Sequence, residues 1–180
     1  DRVSDRPMRP LFPTDYSNDV TINTLVMGVE PECSPDLTAM VGSALATCIS
    51  DSPFDGPVAM SQVGMIDGKF IFNPSETDML ISDLKLTVAS TREKVIMIEA
   101  GANEVPEDRM IEAIYAAHEL NGEIIKFFDT IIAECGKPKH EYERHIIPEE
   151  VTQAIMEIVP PEKMEEAVFS DDKQTRDANI

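Results

Sequence analysis

The chain has 180 residues, 34 acidic against 15 basic, a formal charge of -19 and an apolar content of 42%. Such a length allows one domain or two small ones, and the apolar share is enough for a buried core, which argues against wholesale disorder. Acidity on this scale predicts repulsion of nucleic acid over most of the surface, and no apolar run approaches the roughly 18 residues of a membrane-crossing helix.

Cys33, Cys48 and Cys135 lie far apart with no C-x-x-C pair. They argue against a disulfide framework or a zinc site and suit a reducing cytosol. The opening Asp1-Arg2-Val3-Ser4-Asp5 has no initiator Met and no apolar signal region, so the chain is expected to be a piece of something longer. Residues 1–90 carry only Arg2, Arg6, Arg9, Lys69 and Lys85 as cations. If the chain touches phosphate, its first nine residues are the best candidate. The acidic stretch Glu141–Glu166 reads as a solvated helical surface.

In chain order, Pro7, Pro10 and Pro13 among charged residues predict a loop or extended lead-in over residues 1–18. Val20–Glu30, rich in β-branched residues, predicts a strand. Pro35 opens a helix to about Ile49, with Ser34 as N-cap and Asp36 complementing the dipole. Its small apolar residues predict burial on most sides. Val58–Ile66 and Lys69–Phe72 flank Asp67-Gly68, the preferred pair for a type I′ hairpin because both turn positions need positive φ. Leu84–Ala89 and Lys94–Glu99 read as two more strands joined by a turn at 90–93.

From Pro106 the period becomes 3.6. Met110, Ile111, Ile114, Ala117, His118, Asn121, Ile125, Phe128, Ile132 and Cys135 predict one apolar stripe on a helix of about 30 residues. Pro106 would start it, Gly136 would end it, and Gly122 is a point where it could bend or split. Shorter helices are expected near Pro148–Ile158 and Pro161–Phe169, with Ser170–Ile180 frayed. The sum is an α/β unit to about residue 120, then a helical appendage.

Spacing alone yields no active site. His140 and His145 are five apart, whereas a zinc protease needs four, so a surface role is expected for both. His118 is expected to be a partly buried, hydrogen-bonded core residue. Ser34, Ser43, Ser50 and Ser52 lack a G-x-S-x-G context, and no Gly-rich phosphate loop is present. Asp78 and Asp83 could hold a metal, but solvated strand-end acids are the more common case. Ten methionines without a pattern look like core filler.

Several stretches in order nevertheless form a pattern: Asp5–Pro13 (DRPMRPLFP), Ala39–Ala46 (AMVGSALA), Ser52–Gly56 (SPFDG), Val63–Pro74 (VGMIDGKFIFNP) and Ile98–Gly101 (IEAG). Together they resemble the first RNase PH-type core domain of bacterial polynucleotide phosphorylase over about residues 1–135. The likeness continues more weakly into the family's all-helical linker. It implies part of the first core domain at 1–120, a mixed sheet with helices, and the start of the helical domain at 121–180.

The resemblance further implies a cytoplasmic homotrimer that degrades RNA from the 3′ end. Inorganic phosphate attacks, nucleoside diphosphates leave, and Mg²⁺ or Mn²⁺ is bound outside this chain. The family's working site, in the second core domain, has a Ser-rich phosphate loop at a helix N-terminus and an Asp-x5-Asp-x-Lys set. Here the phosphate slots fall on Ser34, Pro35 and Asp36, and the carboxylate-lysine slots on Met79, Lys85 and Thr87. Pro35 lacks a donor, Asp36 repels an anion and the carboxylates are missing, so no catalytic residue is expected.

Arg2, Arg6 and Arg9 match an arginine-rich segment that the family places near the cleft between core domains. They are the expected RNA- or phosphate-binding residues, although Pro7 and Pro10 argue against a regular helix there. Ion pairing with Asp1, Asp5 and Asp15 would explain them equally well. A non-enzymatic acidic module for protein interaction or oligomerisation is the alternative. Cut through a domain, the chain would also expose apolar surface and strand edges, predicting poor solubility.

Overall fold

In the computed structural model, which describes residues 2–144 and 146–180, Asp67 and Gly68 both adopt positive φ, 49° and 73°. They join β1 (Ala59–Ile66) to β2 (Lys69–Phe72) with Ile66 opposite Lys69, the expected type I′ hairpin. β1 also pairs antiparallel with β3 (Leu84–Ser90), and β3 with β4 (Val95–Ala102), giving the order β2-β1-β3-β4. Both strands expected after the hairpin are present, and β4 runs on past Glu99 to Ala102.

The two-residue period of the strands divides the core. Val63 and Met65 of β1 and Leu84, Leu86 and Val88 of β3 pack with Ala113 and Ala117 of α4 (Glu107–Cys135). Met60 and Ala89, of opposite parity, join Met8, Phe54 and the Leu37, Met40, Ala44 and Cys48 side of α2 (Pro35–Ile49). Phe128, near the end of α4, enters this second cluster, so the long helix serves both. Each fully buried Leu, Val, Phe or Met contributes about 1.5–3 kcal/mol.

Gly122 does not split α4, which continues to Cys135 with Gly136 as its C-cap. Ile111 is 52% exposed and Cys135 is also exposed, so the stripe is narrower than its spacing predicts. α2 buries one face, with Gly42 and Ala46 on its exposed side; small residues there reflect no need for bulk, not burial on most sides.

Three segments differ from expectation. Residues 1–18 are not all loop: α1 (Arg2–Met8) leads into a 3-10 turn (Arg9–Leu11). Pro7 removes one intrahelical N–H but is buried together with Met8, and Pro10 lies in the first turn of its own element, where that N–H is dispensable. Val20–Glu30 forms no strand. The segment pairs with neither edge strand of the sheet, β2 or β4, and lies instead beside α2, Thr24 Oγ1 meeting Ser43 Oγ at 3.0 Å. Ser170–Ile180 contains α7 (Lys173–Asn179), whose N-cap Asp172 accepts from the Thr175 N–H. That bond holds the Asp172 carboxyl below its ordinary value.

An unforeseen α3 (Glu76–Ile81) precedes β3. The larger unit ends at Glu143, and Arg144–Ile180 forms a smaller one. The smaller unit holds α5 (Glu149–Ile158), α6 (Pro161–Val168) and α7, with α6 packed beside α7. The first two match the expected pair of short helices. Residue 120 lies inside α4.

Candidate nucleic-acid interface

The first turn of the site is made by i, i+4 geometry. Asp5 in α1 and Arg9 in the 3-10 turn face each other, Arg9 Nη2 donating to Asp5 Oδ1 at 2.6 Å and Nε to Oδ2 at 3.3 Å. Arg2 and Arg6 lie in α1 and are exposed. Neither has an ion pair with the described residues. Among the described residues, then, one of the three arginines takes an expected carboxylate partner. Asp1 and His145 lie outside the described residues.

Arg9 and Asp5 line a half-open cleft of about 860 Å³. Its walls come from α1 and the turn after it (Met8, Phe12, Tyr16), from the extended segment at Asn18–Thr24, and from Ala39 and Ser43 of α2. Arg2 and Arg6 do not line it. Phe12 and Tyr16 stack with ring centroids 6.2 Å apart and planes 14° from parallel, so the cleft combines an aromatic wall, a guanidinium and several hydroxyls.

Tyr16 is fixed from behind. Its hydroxyl lies 3.2 Å from His140 Nε2 and its ring meets Tyr142 edge-on, while the Tyr142 hydroxyl donates to Asp15 at 2.8 Å. His140 is therefore half-buried in an aromatic cluster, not a plain surface residue. Lys139 next to it donates to the carbonyls of Thr47, Cys48 and Ser50 at the end of α2. Sequence reasoning missed both, because Lys139 returns to the end of α2 from about 90 residues away and His140 meets Tyr16 from 124 residues away.

His118 is half-buried as expected, yet its Nδ1 has no hydrogen-bond partner among the described residues. Nearby in sequence, Asn121 is fully buried and its Nδ2 donates to Val88 O and Ser90 Oγ, both at 3.0 Å.

At the phosphate slots, Ser34 is the N-cap of α2 by position but makes no side-chain cap bond, and Pro35 occupies the first turn. Helix N-termini attract anions through free N–H groups; Pro35 removes one and the exposed Asp36 carboxylate opposes the dipole's attraction. Met79 lies in α3, Lys85 points to solvent on β3 and Thr87 is buried beside it. Asp78 is committed to a capping box, its Oδ2 accepting from the Ser75 N–H and Oγ. Among the described residues no group of three His, Cys, Asp or Glu could hold a metal ion.

Residues 56–119 match the family model described as the 3′ exoribonuclease family, domain 2. Over 179 residues, 99% of its length, the chain is 66% identical to a polyribonucleotide nucleotidyltransferase of Lachnoclostridium phytofermentans, covering 26% of that protein. The corresponding protein of Caldicellulosiruptor saccharolyticus is 45% identical over 179 residues, 99% of the chain and 25% of the relative. That of Shouchella clausii is 50% identical over 140 residues, 78% of the chain and 20% of the relative. The chain thus spans about a quarter of the length of the curated relatives it matches. Along nearly its whole length the chain is similar to a stretch of the polyribonucleotide nucleotidyltransferases, and all four strands of its sheet lie within the residues that match the 3′ exoribonuclease family model.

Proposed function

We propose that the chain is part of a phosphate-dependent 3′-to-5′ exoribonuclease that releases nucleoside diphosphates from RNA. Within it, this segment is a catalytically degenerate scaffold that guides RNA. The observation that carries the reading is 66% identity over 179 residues to a polyribonucleotide nucleotidyltransferase. The degenerate role is supported by Pro35 and Asp36 at the start of α2, by Met79 and Lys85 where the pattern has its two carboxylates, and by Thr87 where it has its lysine.

In this reading Arg2, Arg6 and Arg9 contact RNA phosphates, since a planar, permanently charged guanidinium matches phosphate oxygens. Residues 1–120 are part of the first core domain and 121–180 begin the helical domain, with α4 shared between them. The intact protein is a cytoplasmic homotrimer acting on RNA and inorganic phosphate. Its Mg²⁺ or Mn²⁺ binds outside this chain. No described helix is long and apolar enough to cross a membrane.

Nucleoside diphosphate release from poly(A) with phosphate and Mg²⁺ tests this on the chain and on the full-length product. Activity from the full-length product and none from the chain is expected. Phosphate-dependent release by the chain alone would overturn the degenerate role and make Asp78 and Asp83 the first residues to substitute.

A further inference from the structure

Arg9 already holds the kind of ligand the RNA-guiding reading gives it. Its Nε and Nη2 edge grips both oxygens of the Asp5 carboxylate, the same fork that a phosphodiester's two free oxygens would enter. Both side chains line the cleft beside the stacked Phe12 and Tyr16 rings. Arg9 is 76% and Asp5 49% exposed, so the pair is open to exchange and weak by itself. A volume of about 860 Å³ is ample for a nucleotide, because small-molecule sites run from roughly 300 to 1,000 Å³.

We propose that this cleft is a nucleotide subsite for single-stranded RNA, in which Asp5 occupies Arg9 in place of a phosphate until the RNA backbone displaces it. The inference rests on the reading that Arg9 contacts RNA. The phosphate exchanges onto the guanidinium, and one base lies against the Phe12–Tyr16 wall, where stacking tolerates any base. Asp5 then lowers affinity in two ways: it must release Arg9, and its charge stays near the incoming phosphate. In a chain of charge -19, such an internal competitor keeps a lone guanidinium from holding other anions.

The test is fluorescence anisotropy of a 5′-labelled oligo(A) RNA with the full 180-residue chain, dilute and at low salt. Asp5→Asn is expected to tighten binding about twofold to fivefold, the scale of an exposed ion pair, and Asp5→Ser to do the same. With Arg9→Ala already present, Asp5→Asn should gain clearly less, since only general repulsion remains to be relieved. Circular dichroism verifies that α1 survives in each variant.

Loss of tightening in both Asp5 variants, while Arg9→Ala still weakens binding, overturns this inference and leaves the RNA-guiding reading intact. An Arg9→Ala variant that binds RNA as the parent does overturns both. Inorganic phosphate at matched ionic strength is expected to displace little RNA; full displacement by phosphate alone would make the cleft a phosphate site and not a nucleotide subsite.

Discussion

Lys139 lies just past the end of α4, yet its ammonium reaches the carbonyls of Thr47, Cys48 and Ser50 at 3.3, 2.9 and 2.8 Å. The last carbonyls of a helix lack intrahelical partners and carry the negative end of the dipole, so a cation there is doubly favourable. Lys139→Met is expected to lower stability by about 1–2 kcal/mol, the scale of hydrogen bonds to a charged donor. A urea midpoint shift with unchanged slope would show it. No shift would mean that water replaces the cap without loss.

Cys48 lies on the same turn and is buried. Burial pushes its thiol up to about 11, against opposing pulls from the Lys139 ammonium and Arg92. The unfolded thiol titrates near 8.5. Its contribution is therefore fully present below that pH and is lost as pH rises through about 11, where the folded state must bury a thiolate. With a disulfide reagent at mildly alkaline pH, the exposed Cys33 and Cys135 should react at once and Cys48 only on unfolding. Three equally fast thiols would contradict the burial.

At the scale of elements, the hairpin is where sequence and backbone agree most closely. Gly68 at φ 73° admits a side chain only with strain, although no atom lies near enough to clash with one. Gly68→Ala should thus cost about 1–2 kcal/mol through backbone conformation alone, and Asp67→Asn should cost little. Arg109, at the start of α4, reinforces the turn by donating to Gly68 O at 2.7 Å and lying 4.4 Å above the Phe70 ring.

What was legible in the chain was local. Asp67-Gly68, Pro35 and the 3.6 period of α4 each specify their element from within a few residues. Val20–Glu30 failed because a strand requires a partner, and β-branched composition cannot supply one. α3 had a signal that passed unread: Ser75 followed three residues later by Asp78 is a capping pattern. Gly56 in the SPFDG stretch has a tertiary reason, since a Cβ there would overlap the Phe54 ring and approach Cys48 Sγ. The arginine segment was legible as a cation cluster, but its helical form depends on burying Pro7 and Met8, which only the fold reveals.

At the scale of the whole molecule, two long-range forces oppose each other. Leu25, Met27 and Val29 are 79%, 86% and 70% exposed along the extended segment, and β2 and β4 are the open edges of the sheet. Apolar surface of this kind and open strand edges favour association. The charge of -19 keeps copies apart, but only over the Debye length, which shrinks from about 30 Å at 0.01 M salt to about 8 Å at 0.15 M. Self-association of the chain should therefore increase with salt, whereas RNA binding through Arg9 should decrease with it. Light scattering across a salt series, beside the anisotropy measurement, separates the two. Leu25→Lys with Met27→Lys adds charges that remain local to the apolar segment, so this double variant should delay association to higher salt. Association that weakens as salt rises would instead identify attraction between the few cations and the acidic surface as the force joining the copies.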